Sequence, residues 1–222
     1  EQEIEGARAT ITYAPLGVIV AIMPWNFPFW QFIRFAAPAL MAGNGILLKH
    51  APNTLGCALK LVAMCREAGV PKELVQCFLI DVVRVETLIG DTRVRAVTFT
   101  GSTTGGQAVS QLAARHVKKT VLELGGNDAY IVCNDADLNV TVEACVVARC
   151  LNAGQSCVAA KRFLVHSSLY EEFTARVAER FDAMIVGDPM DPSTQIGPIA
   201  RADLRDTLLE QIQHSLKQGA TQ

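Results

Sequence analysis

The segment LNAGQSCVAAKR, residues 151–162, sets Cys157 in a small, polar, glycine-containing turn ahead of two cations, Lys161 and Arg162. The thiolate is the nucleophilic form of cysteine, and its pKa falls near cations or at a helix N-terminus. Cys157 is therefore a candidate for covalent catalysis, weighed against the plain alternative of a cysteine in a turn. The chain has six more cysteines (Cys57, Cys65, Cys77, Cys133, Cys145 and Cys150), most of them inside apolar strand or helix patterns. An odd total without C-x-x-C pairing points to reduced thiols in a cytoplasm-like compartment and away from a disulfide framework.

Three further stretches could do chemistry. Glu123 closes TVLE among apolar Val121, Leu122 and Leu124; such neighbours disfavour a charged carboxylate, raise its pKa and suit a general base, unless the residue simply faces water. In PWNFP, residues 24–28, two prolines stiffen the backbone around Asn26. A fixed amide is a good oxyanion donor, and Asn26 could equally cap a helix. FTGSTTGG, residues 99–106, follows a strand and opens a helix, so its glycines and free amides could receive a phosphate, although it is not the usual G-x-G-x-x-G pattern. Lys49, at the end of ILLK, could contact a nucleotide sugar or phosphate, or be a solvated strand end. The four histidines (His50, His116, His166 and His214) lack ligand spacing, so no metal site is expected.

Alternating elements position these residues. Strands are expected at 9–13, 17–23, 45–50, 74–80, 96–100, 119–126, 128–134 and 162–166. Helices are expected at 28–43, 54–69, 84–89, 103–116, from an Asp137 cap to about Leu151, and near 168–185 and 201–218. Strand–helix alternation implies an α/β fold with a parallel sheet covered on both faces, whose ligands bind at the carboxyl ends of strands. Half the 222 residues are hydrophobic, enough for a core, and the net charge of −2 argues against nucleic-acid or anionic-membrane partners. No apolar run is long enough to span a bilayer, and no signal peptide is expected.

In order, PWNFP, LLKHAP, FTGSTTGG, LELGGND and NAGQSCVAAKR resemble the aldehyde dehydrogenase superfamily, and the resemblance runs through essentially the whole chain. NFPFWQFIR, LLKHAPNT and GDPMDPSTQIGP look most like its succinate-semialdehyde dehydrogenase branch. The resemblance implies a variant Rossmann cofactor domain plus the first part of an α/β catalytic domain. Residues 1–15 would be part of the bridging strands, 16–125 the NAD(P)-binding domain and 126–222 a truncated part of the catalytic domain. Cys157 would attack an aldehyde, Asn26 and the Cys157 amide would stabilise the oxyanion, and Glu123 would activate the hydrolytic water. Trp25, Lys49, Gly101, Ser102 and Gly125 would hold NAD or NADP.

Trp30 and Arg34 lie four and eight residues beyond Asn26, on neighbouring parts of one helix face. A guanidinium pairs well with a carboxylate, so Arg34 is expected to bind the far end of a semialdehyde. Pro52 stands where many NAD-preferring relatives carry a glutamate on the ribose, leaving NADP possible. The family chain is roughly twice as long, so a fragment with weak or no activity of its own and a tendency to associate is expected. The longer form would be a cytoplasmic homo-oligomer, a dimer or tetramer. The competing readings are a CoA-acylating dehydrogenase, a non-catalytic relative, and a cofactor-free cysteine hydrolase, which would want a histidine partner for Cys157.

Overall fold

A computed structural model describes residues 2–4 and 6–221; the outermost positions of the expected domain ranges, 1 and 222, lie outside them. The chain divides into two compact units, residues 1–125 and 126–222.

In the first unit, β1 (Gln2–Ile4) and β2 (Ala7–Ala9) form an antiparallel pair. Residues 10–17 carry no regular structure, so the strand expected at 9–13 is present only at Ala9. Ile11 and Tyr13 are 85% and 97% exposed. Their alternation has no packing surface among the described residues, and alternation without one does not hold a strand.

The central sheet is parallel throughout. Its strands β3 (Val18–Met23), β4 (Gly45–His50), β5 (Val75–Cys77), β6 (Val94–Thr100) and β7 (Lys119–Glu123) run in the order β5-β4-β3-β6-β7. Four helices complete the unit: α1 (Trp30–Met41), α2 (Leu55–Glu67), α3 (Val85–Gly90) and α4 (Thr103–Arg115). The period-2 geometry of β3 divides the core. Ala21 and Met23 pack with Phe32 and Ala36 of α1 and Leu61 of α2. Val20 and Ile22 pack with Ile89 of α3 and Val109 of α4. Gly43 and Gly69, with φ of +83° and +87°, follow the ends of α1 and α2 as expected of helix-ending glycines.

In the second unit, β8 (Ala129–Val132) and β9 (Arg162–Val165) pair in parallel. The helices are α5 (Leu138–Cys150), α6 (Tyr170–Asp182) and α7 (Ala202–Lys217). Asp137 caps α5, its Oδ1 accepting the Asn139 amide at 2.8 Å. Val142, Cys145 and Val146 pack against Phe173 and Val177 of α6 and against Val132 of β8. None of the residues of α7 is buried.

Candidate active site

The first unit gathers most of the candidate residues along one edge. Because β3, β4, β6 and β7 are parallel, their carboxyl ends align, with Met23 opposite His50 and Thr100 opposite Glu123. Trp25 and Asn26 follow β3, Lys49 and His50 end β4, Gly101 and Ser102 follow β6, and Glu123 ends β7. Ligands of open parallel sheets bind at this edge.

Lys49 is 5% exposed. Its Nζ donates to the His50 carbonyl at 3.1 Å. Burial pulls its pKa down, and the Asp81 carboxylate partly offsets this. The bland reading of a solvated strand end is thereby excluded. The strand places Lys49 and His50 on opposite sheet faces, Lys49 sharing the face of Leu47 and His50 that of Leu48.

At the end of β6, the Ser102 hydroxyl caps α4 by accepting the Gly105 amide at 3.1 Å. The glycines there have a reason beyond phosphate approach. A Cβ on Gly101 or on Gly105 would lie 2.7 Å from Phe99 Cζ, so both are needed to seat that ring. A Cβ on Gly106 would meet Leu124 Cδ2 at 2.5 Å, which brings α4 close to the end of β7. Around Gly125 a Cβ would meet nothing. A desolvated ammonium at the end of β4 and, two strands across the same sheet edge, a helix N-terminus after β6 are donors fitted to a phosphorylated nucleotide. Pro52 begins the 3-10 turn Pro52–Thr54 and presents no carboxylate to a 2′-phosphate.

Glu123 takes the water-facing one of its two readings. Its side chain is 52% exposed and lies 3.6 Å from the Arg34 guanidinium, itself 44% exposed. Val121 is also exposed. The water-facing alternative holds within this unit, since β7 is an edge strand of its sheet. Arg34 shares the exposed face of α1 with Trp30, which is 63% exposed. Trp30 and Arg34 thus lie on one exposed helix face, with the guanidinium paired to a carboxylate.

In the second unit, Cys157 follows a loop of unusual backbone. Asn152, Ala153 and Gly154 are successively left-handed, with φ of 54°, 53° and 74°. Such conformations cost energy in non-glycine residues and persist where the surroundings hold them. Arg149, in the last turn of α5, does the holding. Its Nη1 donates to the Ala160 carbonyl and its Nη2 to that of Gly154, both at 2.9 Å. Lys161 folds back so that its Nζ donates to the Cys157 carbonyl at 2.5 Å and to the Ser156 carbonyl at 3.3 Å. Arg162 turns away to the Asn127 carbonyl at 2.9 Å, so only one of the two expected cations attends this loop.

Cys157 is half-buried. Burial pushes the thiols of Cys65, Cys77, Cys145 and Cys150 up, keeping them protonated and unreactive. Among the described residues no cluster of histidine, cysteine and carboxylate side chains could hold a metal ion.

The aldehyde dehydrogenase family matches residues 1–222. The chain belongs to the aldehyde dehydrogenase family. An NADP+-dependent succinate-semialdehyde dehydrogenase of Mycobacterium avium is 48% identical over 219 residues, which is 99% of this chain and 46% of that protein. A succinate semialdehyde dehydrogenase of Escherichia coli using NAD(P)+ is 48% identical over 217 residues, 98% of this chain and 47% of that protein. The crystal structure of a succinic semialdehyde dehydrogenase from Streptococcus pyogenes in complex with NADP+ superposes with a TM-score of 0.88 at 37% identity, covering 93% of this chain and 45% of the other. This aldehyde dehydrogenase chain thus spans about half the length of the relatives it matches.

Two residues of this aldehyde dehydrogenase chain escaped the sequence reading. In the sequence His50 is one of four histidines without ligand spacing, and Arg149 an arginine inside the helix expected from Asp137 to about Leu151. The one available signal for His50 was an imidazole beside the strand-ending Lys49. Arg149 offered none, since an arginine in the last turn of a helix is ordinary.

Proposed function

We propose that the protein carrying this chain oxidises succinate semialdehyde to succinate with NADP+ or NAD+. The observation that carries this reading is the Arg34 guanidinium, exposed on α1 and 3.6 Å from the Glu123 carboxylate. An exposed pair of this kind contributes about 0–1 kcal/mol, so a substrate carboxylate can take the guanidinium in its place. The names of relatives at 48% identity support the substrate.

NADP+ or NAD+, when bound, supplies the hydride acceptor. Lys49 and the start of α4 would hold its phosphates and ribose, beside Trp25, Gly101, Ser102 and Gly125. Arg34, beside Trp30, orients the distal carboxylate and so the aldehyde. Cys157 Sγ attacks the carbonyl carbon to give a thiohemiacetal, whose oxyanion takes hydrogen bonds from the Asn26 side chain and the Cys157 amide. Transfer of the hydride to the bound coenzyme would leave a thioester on Cys157 Sγ. Glu123 removes a proton from water, the water attacks the thioester, and succinate departs as the Cys157 thiolate re-forms. Residues 16–125 serve as the coenzyme-binding domain and 126–222 as the opening of the catalytic domain.

Seven unpaired cysteines fit a reducing cytoplasm, and the described helices include none long and apolar enough to cross a membrane. Exposed Ile11 and Tyr13, on the segment after β2, support a homo-oligomer. Arg34→Ala is the direct test of substrate class. It should raise KM at least about tenfold for succinate semialdehyde, the loss of a charge-assisted pair, and barely for butanal. Equal effects on the two aldehydes refute the assignment. Release of free succinate without CoA separates hydrolysis from acyl transfer to CoA.

A further inference from the structure

The His50 ring is 1% exposed and every polar atom on it is used. Nε2 lies 3.0 Å from the Pro28 carbonyl oxygen. Nδ1 accepts the Ala51 amide at 3.0 Å and lies 2.7 Å from Thr54 Oγ. The two backbone partners have one role each. A carbonyl only accepts and an amide only donates, so the ring is neutral with its proton on Nε2. Burial, which pulls the pKa below its ordinary value, agrees, as does the charge of nearby Lys49. The His50 carbonyl in turn accepts from Lys49 Nζ.

These bonds join two separate pieces of the edge. Pro28 lies two residues beyond Asn26, in the stiff turn between β3 and α1. Ala51 and Thr54 belong to the 3-10 turn that follows Lys49 and contains Pro52. We propose that His50 is a positioning residue, its Nε2–H fixing the turn that carries Asn26 and its Nδ1 fixing the turn beside Lys49. This rests on the roles given to Asn26 and Lys49 above. Because the two halves of the ring serve different segments, their effects are separable.

The test uses the protein as its host expresses it, with kcat for succinate semialdehyde and an NADP+ dissociation constant from calorimetry. His50→Gln places an amide donor near Nε2 and removes the acceptor for Ala51. It should raise the NADP+ dissociation constant about tenfold and keep kcat within about threefold of the parent. His50→Asn places an acceptor near Nδ1 and removes the donor to Pro28. It should lower kcat about tenfold or more, with NADP+ binding kept within about threefold. The kcat loss in His50→Asn should also vanish when Asn26→Ala is already present, because both act through one amide. A merely structural histidine would move both parameters together, or neither, or add its effect to that of Asn26→Ala; any of these overturns the proposal. If Asn26→Ala alone leaves kcat unchanged, the role given to Asn26 fails with it. Additive effects with an impaired Asn26→Ala overturn the positioning role alone.

Discussion

The turn carrying Asn26 and the loop carrying Cys157 are made rigid in opposite ways. Around Asn26 no residue has a positive φ. Pro24 and Pro28 restrict φ, and buried His50 ties the Pro28 carbonyl down. Around Cys157 the backbone itself is strained, with Asn152 and Ala153 left-handed, and one guanidinium from α5 holds the loop by two carbonyls. A fixed dipole needs only a stiff support. The loop ahead of Cys157 holds a conformation that its residue types do not favour, and so depends on the Arg149 clamp.

The largest break in that comparison comes from the sulfur. Cys157→Ser should lower kcat by about 10³-fold or more, measured as NADPH formation at 340 nm. Next is the clamp. Arg149→Met leaves the Gly154 and Ala160 carbonyls without their charged donor and should cost about 2–3 kcal/mol in urea unfolding. It should also loosen Cys157, seen as a changed rate of thiol labelling. Cys133, which is exposed, serves as the internal reference, and buried Cys65 and Cys145 should label slowly. Gly154→Ala should cost about 1–3 kcal/mol, because its φ is +74° and a Cβ would fall 2.6 Å from Arg149 Nη2.

The His50 side of the comparison is sharpened by pH. The folded ring has a pKa below 6.5, whereas the unfolded ring titrates near 6.5. The unfolded chain therefore binds a proton where the folded one does not. His50 contributes its full stability above pH 6.5, and that contribution is lost as pH falls through the folded value. Urea midpoints should drop with pH below 6.5 more steeply in the parent than in His50→Gln. The smallest effect belongs to Ala153→Gly, which relieves left-handed strain and should stabilise by up to about 1 kcal/mol.

Much of this was legible in the sequence, for identifiable reasons. The apolar run of β3 and the helix-stopping Gly43 and Gly69 write their own structure locally. So does the strand–glycine–helix order around Gly101, although its glycines turned out to make room for Phe99 as well. What was not legible depends on neighbours distant in sequence. Ile11 and Tyr13 alternate like strand residues but have no surface to pack on among the described residues. Glu123 has apolar neighbours in sequence and exposed ones in space, because β7 is an edge strand. The bond from His50 to Pro28 spans 22 residues, and the Arg149 clamp closes on a backbone conformation that residue types alone do not announce.

The central claim is that Cys157 carries the acyl group and Glu123 releases it. Glu123→Gln protein, as its host expresses it, should be mixed with succinate semialdehyde and NADP+, quenched in acid, and mapped by peptide mass spectrometry. The account predicts a succinyl thioester on the peptide containing Cys157, accumulating with a burst of NADPH. Burst formation without an adduct at Cys157, or an adduct on another cysteine, would contradict it.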